Sequence, residues 1–294
     1  MLAVACFDVG GSGGSGGEPK MTGVTAGRKV SGTVHFEVVG DGAGEPVLVL
    51  PGGGVRDPEY LGDLRRWGAS RPLAVVHFRG TPKSGGLPEP WWNQYEDIES
   101  VRVALGVESV DVIAHSAGSR VALAYAASDA PVRRLALVTP PAAWLTGTDS
   151  DVAELAATRA DEPYIAEALT APPLGFGSEA AFREQQRLTA PLGYARWDEQ
   201  AKRHAITGST CFEGLRAFFS APPPDDLVER IRRLAMPVLV IGGAVDLLSG
   251  RAPVEALAAM LINGSVEMIP DCGHYPWIDQ PDVFAQIINR WSTL

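Results

Sequence analysis

A serine hydroxyl is a poor nucleophile until a base takes its proton, and the base needs a carboxylate to set its tautomer and stabilise the imidazolium. Ser116, Asp246 and His274 have the types and chain order for that chemistry. Ser116 stands in Ala114-His115-Ser116-Ala117-Gly118, which matches the G-x-S-x-G turn with Ala at the first glycine position. Before it, Val110, Val112, Ile113 and Ala114 read as a strand covered on both faces; from Ala117 the run is alanine-rich and favours helix. A serine held in a strained turn needs small neighbours, which Ala114 and Gly118 supply. Taken alone, such a serine is most often structural, and the strand–turn–helix context is what points to a nucleophile. Asp246 closes Gly242-Gly243-Ala244-Val245-Asp246, directly after the strand-like Val238–Ile241. His274 sits in Asp271-Cys272-Gly273-His274-Tyr275-Pro276-Trp277, after Val266–Ile269. Asp271 reads as a turn residue and Cys272 as a small buried filler.

Acyl transfer also needs donors for the oxyanion. One is expected from the backbone N–H of Ala117. The other is expected from Pro51-Gly52-Gly53-Gly54, after the strand ending at Leu50, with Gly53 first and Gly54 second. Four further residues are candidates for touching substrate: His77, Trp197, Asp198 and Tyr275. His77 ends a strand at the functional edge, with core packing as the competing role. Asp198 has a solvated helix charge as its competing role, and the Tyr275–Trp277 aromatics suit either a pocket wall or the core. Arg79 reads as a structural ion-pair residue.

The elements that must position these groups alternate. Val30–Val39 alternates polar and apolar residues as an edge hairpin strand, and Pro46–Leu50 reads as a buried strand. A helix over Leu61–Trp67, a strand over Leu73–Phe78 and a helix over 94–105 follow, then the Ser116 strand and helix and a strand over Arg133–Thr139. The pattern lapses from 141 to 235, where helical pieces and Pro-rich joints predict a helical lid. It resumes with a strand at Pro237–Ile241, a helix over 253–262, a strand at Ser265–Ile269 and a helix from Pro281 with Phe284, Ile287, Ile288 and Trp291 on one face. Alternation of this kind predicts an α/β domain with a mostly parallel sheet, built from 28–140 and 236–294. Open sheets of this class bind ligands beyond the C-terminal ends of their strands, where all three catalytic candidates are expected.

The chain has 294 residues, 46% of them hydrophobic, enough for a sizeable core. A net charge of −10 argues against a nucleic-acid or anionic-membrane surface. Three distant cysteines suggest neither a disulfide framework nor a metal site, and a reducing cytoplasm is the expected setting. No apolar run is long enough to span a bilayer. Residues 1–27 include a Gly/Ser-rich stretch and read as a flexible tail.

With these motifs in place the chain resembles the α/β-hydrolase-fold serine hydrolases, nearest the proline-iminopeptidase-like branch. The resemblance runs over about residues 28–294 and is carried by five segments: Pro51-Gly52-Gly53-Gly54-Val55, His77-Phe78-Arg79-Gly80-Thr81-Pro82-Lys83-Ser84, Ala114–Gly118, Gly243–Asp246 and Gly273-His274. It departs from the family pattern at Pro51 (His in the family), Gly54 (Pro), His77 (Asp) and Pro82 (Gly). Arg196-Trp197-Asp198-Glu199 is loosely similar to the family's lid segment that holds a substrate's amino terminus. The resemblance implies Ser116 as nucleophile, His274 as base and Asp246 as its orienting acid, with no metal and no organic cofactor. It implies a small-molecule substrate, with an ester or lactone ranked first and an iminopeptidase-type amide second. A secondary-metabolite tailoring reaction and a non-catalytic small-molecule receptor remain as alternatives.

Overall fold

The computed structural model describes residues 24–25, 34–67, 69–174 and 177–293, so the tail expected over 1–27 lies outside the described residues except for Val24 and Thr25. Among the described residues eight strands form one sheet: β1 (Val24–Thr25), β2 (His35–Val39), β3 (Val47–Leu50), β4 (Leu73–His77), β5 (Val110–His115), β6 (Val132–Val138), β7 (Val238–Gly243) and β8 (Gly264–Ile269). Their spatial order is β1-β2-β4-β3-β5-β6-β7-β8. β3 to β8 run parallel, while β2 pairs antiparallel with both β1 and β4. β2 was expected at the edge; the short β1 lies outside it. β3, β4 and β5 are buried at every position, which is why they read as continuous apolar runs rather than alternating ones.

Helices cover the sheet: α1 (Tyr95–Leu105) and α2 (Ala117–Ala126) before β6, then α10 (Ala252–Met260), α11 (Pro276–Asp279) and α12 (Pro281–Thr293) around β8. The stripe expected on α12 is buried, with Phe284 and Ile288 fully inaccessible. Among the described residues between β6 and β7 come seven short helices: α3 (Ala143–Thr146), α4 (Val152–Ala157), α5 (Pro163–Thr170), α6 (Glu179–Thr189), α7 (Glu199–Ala205), α8 (Phe212–Phe218) and α9 (Leu227–Arg232). The helix expected over Leu61–Trp67 is instead two 3-10 turns, Pro58–Leu61 and Leu64–Trp67. Gly62, at φ 69°, takes the left-handed region between them and ends the first turn.

Candidate active site

β5 delivers Ser116 to the C-terminal edge of the sheet, and α2 begins at the next residue. Ser116 has φ 49° and ψ −120°, a conformation that costs a non-glycine residue about 1–3 kcal/mol. Its backbone N–H donates to Val138 O at 2.9 Å, tying the turn to β6. The turn is tight against its surroundings. A Cβ on Gly118 would lie 2.5 Å from the carbonyl oxygens of Leu50 and Pro51, and one on Gly52 would lie 2.9 Å from Ser116 Cβ. Only glycine fits at either place.

His274 and Asp246 reach the same edge from the loops after β8 and β7. Nδ1 of His274 lies 2.9 Å from Asp246 Oδ2, and both side chains are buried. The other carboxylate oxygen of Asp246 accepts the N–H groups of Leu248 (2.8 Å) and Ser249 (3.2 Å), so the acid cannot rotate freely. Ser249 Oγ donates to Thr139 O and stands 3.4 Å from His274 Nδ1. The His274 loop is pinned by its own backbone: His274 N–H donates to Gly193 O at 2.8 Å, and Gly273 N–H donates to Asp279 Oδ2 at 2.7 Å. Burial raises the Asp279 pKa to about 6, although the N–H groups of Ala195 and Gly273 act in the opposite direction. Among the described residues Ser116 Oγ forms no hydrogen bond; such contacts are often open without substrate and close in the complex.

His115 bridges the two halves of the site. Its Nε2 faces His274 O at 3.1 Å, and a carbonyl only accepts, so Nε2 carries the hydrogen. Nδ1 then accepts from Tyr60 Oη at 2.8 Å, and Tyr60 Oη accepts from Gly52 N–H at 2.5 Å. One neutral imidazole therefore connects the glycine loop to the His274 loop. Burial pushes its pKa well down, and the neighbouring His274 adds to this. Because Gly52 N–H is engaged, Gly53 and Gly54 are the free candidates in that loop. Both have positive φ, 80° and 73°. Gly54 faces the helical segment, where a Cβ would meet Leu215 Cδ1 at 2.7 Å and Phe218 Cδ1 at 3.4 Å. Ala117 is buried at the first position of α2, where helix geometry leaves its N–H without an internal partner.

The four substrate candidates fall in different places. Tyr275 is buried among His115, Tyr194, His204 and His274, with ring centroids 4.7–5.5 Å away. Trp197 packs on Tyr194 at 5.4 Å and is partly buried. Asp198 is exposed and caps α7, its Oδ1 accepting Gln200 and Ala201 N–H at 2.9 Å each. His77 faces β2, opposite His35. Its Nε2 is 3.9 Å from Glu37 Oε1, and burial lowers its pKa to about 4 against the pull of Glu37. Donor atoms of His35, Glu37 and His77 lie within 4.8 Å of one another, the geometry of a possible cation site, but Lys83 already occupies the Glu37 carboxylate. Arg79 forms an ion pair with Asp97.

Two buried arginines were not singled out in the sequence. Arg56 donates to the carbonyls of Thr207, Gly208 and His204 and lies over the Tyr60 ring at 4.3 Å. Arg159 donates to Tyr194 O (2.9 Å) and Ala195 O (3.0 Å) and pairs with Glu162. Both stitch the α3–α9 segment internally or to the sheet domain. The carbonyls that tie them across the fold lie 35 to 152 residues away in sequence, and no local pattern announces them.

The sequence model of the alpha/beta hydrolase family matches residues 47–287. A proline iminopeptidase of Xanthomonas citri is 36% identical over 104 residues, 32% of this chain and 32% of that protein. The chain thus spans about a third of the length of the curated relatives it matches. Among solved structures, the esterase RhEst1 from Rhodococcus sp. ECU1013 superposes with a TM-score of 0.63 at 22% identity, covering 92% of this chain and 98% of that one. Est816, described as an N-acyl homoserine lactone degrading enzyme, gives 0.60 at 18% identity, covering 90% and 98%. These likenesses carry the fold. Among the described residues no helix is long and apolar enough to cross a membrane.

Proposed function

The chain belongs to the alpha/beta hydrolase family, and from that premise we propose that it is a serine hydrolase cleaving an ester or lactone of a small molecule. The observation that carries the reading is the juxtaposition of a strained serine at the head of α2 with a buried His274–Asp246 pair on the same sheet edge. His274 Nε2 takes the Ser116 proton as Oγ attacks the acyl carbon. Asp246 holds Nδ1–H and stabilises the imidazolium. The N–H groups of Ala117 and Gly53 receive the oxyanion, with Gly54 second. His274 then returns its proton to the leaving alcohol, and water activated by the same imidazole releases the acyl-enzyme. In this reading the segment from α3 to α9 is the lid, resting on the glycine loop through Leu215 and Phe218.

The aminopeptidase reading has the Xanthomonas relative in its favour. Against it stands Asp198, the residue that would hold an amino terminus, whose carboxylate caps α7 at the surface. The test is labelling with a fluorophosphonate probe, on wild type and on Ser116→Ala, followed by turnover of p-nitrophenyl esters against proline and alanine amides. Labelling lost in the variant, with esters turned over faster, is the expected result. Faster amide turnover transfers the assignment to an aminopeptidase. Ligand binding by folded protein with neither labelling nor turnover sinks the acyl-enzyme mechanism and favours a receptor.

A further inference from the structure

Arg120 lies one helical turn beyond Ser116 on α2, about 6 Å along the axis. Long helical side chains lean toward the helix N-terminus, here toward the turn that carries Ser116. Its guanidinium stands over three aromatic rings: Trp144 at 4.9 Å, Trp91 at 5.6 Å and Phe219 at 5.9 Å. Phe219 also borders the glycine loop, 3.5 Å from where a Gly54 Cβ would sit. One side chain thus touches both the cation and the loop proposed to hold the oxyanion.

What sets Arg120 apart is its lack of polar partners. Among the described residues its guanidinium makes no hydrogen bond and no ion pair, and its Nε is buried with no acceptor. Burial alone lowers its pKa, to about 10, with no carboxylate contributing in the other direction. It therefore stays charged at neutral pH. The buried Arg56 and Arg159, by contrast, are satisfied by carbonyls and a glutamate. Arg120 is partly buried; withdrawing an unpaired cation from water is costly, and ring faces compensate only in part.

We propose that Arg120 is the anion-binding residue of the substrate pocket, so that the substrate is an ester carrying a single carboxylate remote from its scissile carbonyl. The inference rests on the serine-hydrolase reading. One cation matches one negative charge, and a planar guanidinium matches the two oxygens of a carboxylate. Apolar ring walls suit a hydrocarbon chain leading to it.

The test compares mono-p-nitrophenyl adipate with p-nitrophenyl hexanoate, which differ at the far end by the carboxylate. Wild type is expected to favour the anionic ester in kcat/KM by roughly 10- to 100-fold, the range of a hydrogen bond to a charged group. Arg120→Met is expected to bring that ratio to about one, with Arg120→Lys in between. No preference in wild type, or a folded Arg120→Met protein that slows both esters equally, overturns the proposal and leaves Arg120 a packing residue. A binding measurement separates this from failure of the hydrolase reading. Ser116→Ala protein is titrated with monomethyl adipate and methyl hexanoate, following tryptophan fluorescence, since Trp91 and Trp144 flank the cation. Binding selective for the anion, and lost with Arg120→Met, supports the anion site even if neither ester is hydrolysed. Equal binding of both ligands sinks it.

Discussion

β5 begins at a region of paired charges and ends at one where a cation stands without an anion. At its start, Asp111 is buried and receives Arg71, Arg133 (3.1 Å) and Arg134 (3.0 Å), while Arg133 also reaches Glu45. Burial acts to raise the Asp111 pKa, but hydrogen bonds from Arg134, Arg133 and Arg71 outweigh it and hold the carboxyl below its usual range. A groove of about 860 Å³ opens here, lined by these same paired residues and by the end of α12. At the other end of the strand, the backbone itself is under strain. Of the four described non-glycine residues with positive φ, three stand in loops at this edge: Ser116, Thr139 and Asp271. Among the described residues Arg120 has no counter-ion. A visible groove with paired charges marks architecture; backbone strain and a cation without a counter-ion mark the place where a ligand completes the structure.

Single substitutions at the two ends should separate activity from stability. Ser116→Ala is expected to lower turnover by about 10⁴- to 10⁶-fold, as removal of a triad nucleophile does, with the thermal midpoint nearly unchanged. Equal turnover in the variant would break the comparison outright. Asp111→Ala should do the reverse. It leaves Arg71 and Arg134 without their anion and Arg133 with only Glu45, and is expected to cost about 3–5 kcal/mol, read by urea unfolding. The folded fraction should keep its kcat.

The same contrast explains how far the sequence could be read. Strands β3, β4 and β5 were visible because burial on both faces makes them continuous apolar runs, and the α12 stripe was visible because one face is wet. Ser116, Asp246 and His274 stood out because each follows a strand in a loop of small residues. Arg120 was invisible: on α2 it is an ordinary helical arginine, and its isolation appears only when Trp91, Trp144 and Phe219 converge from three distant segments. Tyr60 was hidden for a related reason, since the 3-10 turn that aims it at His115 has no periodicity to detect. The α3–α9 segment was readable as helical but not as individual helices, because its units are short and interrupted.

Acid should act on the two ends at different pH. Burial lowers the His204 pKa to about 3 and that of His77 to about 4, and holds His115 well below its ordinary value. Unfolded histidines titrate near 6.5. Between about pH 4 and 6.5 the unfolded chain therefore binds protons at these sites that the folded one does not, so stability rises with pH across that window. Asp279, raised to about 6, opposes them: there the folded state holds the proton and stability falls as pH rises from about 4 to 6. Three sites against one give a net loss on acidification below about pH 6.5. The depressed Asp111 contributes stability that is lost only at lower pH, as the carboxyl titrates in the folded state. Urea midpoints at pH 7.5, 5.5 and 4.5 should fall in that order, and His204→Gln should flatten the slope.

The smallest effect probes the polar chain that runs from Gly52 through Tyr60 and His115 to the His274 loop. Tyr60→Phe removes the hydroxyl that accepts Gly52 N–H and serves His115 Nδ1. Two buried groups then lose a partner at once, a cost of about 1–3 kcal/mol. If the chain merely fills space, stability falls by that amount and kcat is untouched. If it holds the glycine loop and the His274 loop in register, kcat falls as well, by about 10-fold, while KM changes little, because a small misplacement of oxyanion donors weakens the transition state more than the bound substrate. The second outcome is expected. Gly52 is packed so closely on Ser116 that any movement of its N–H displaces Gly53 beside it.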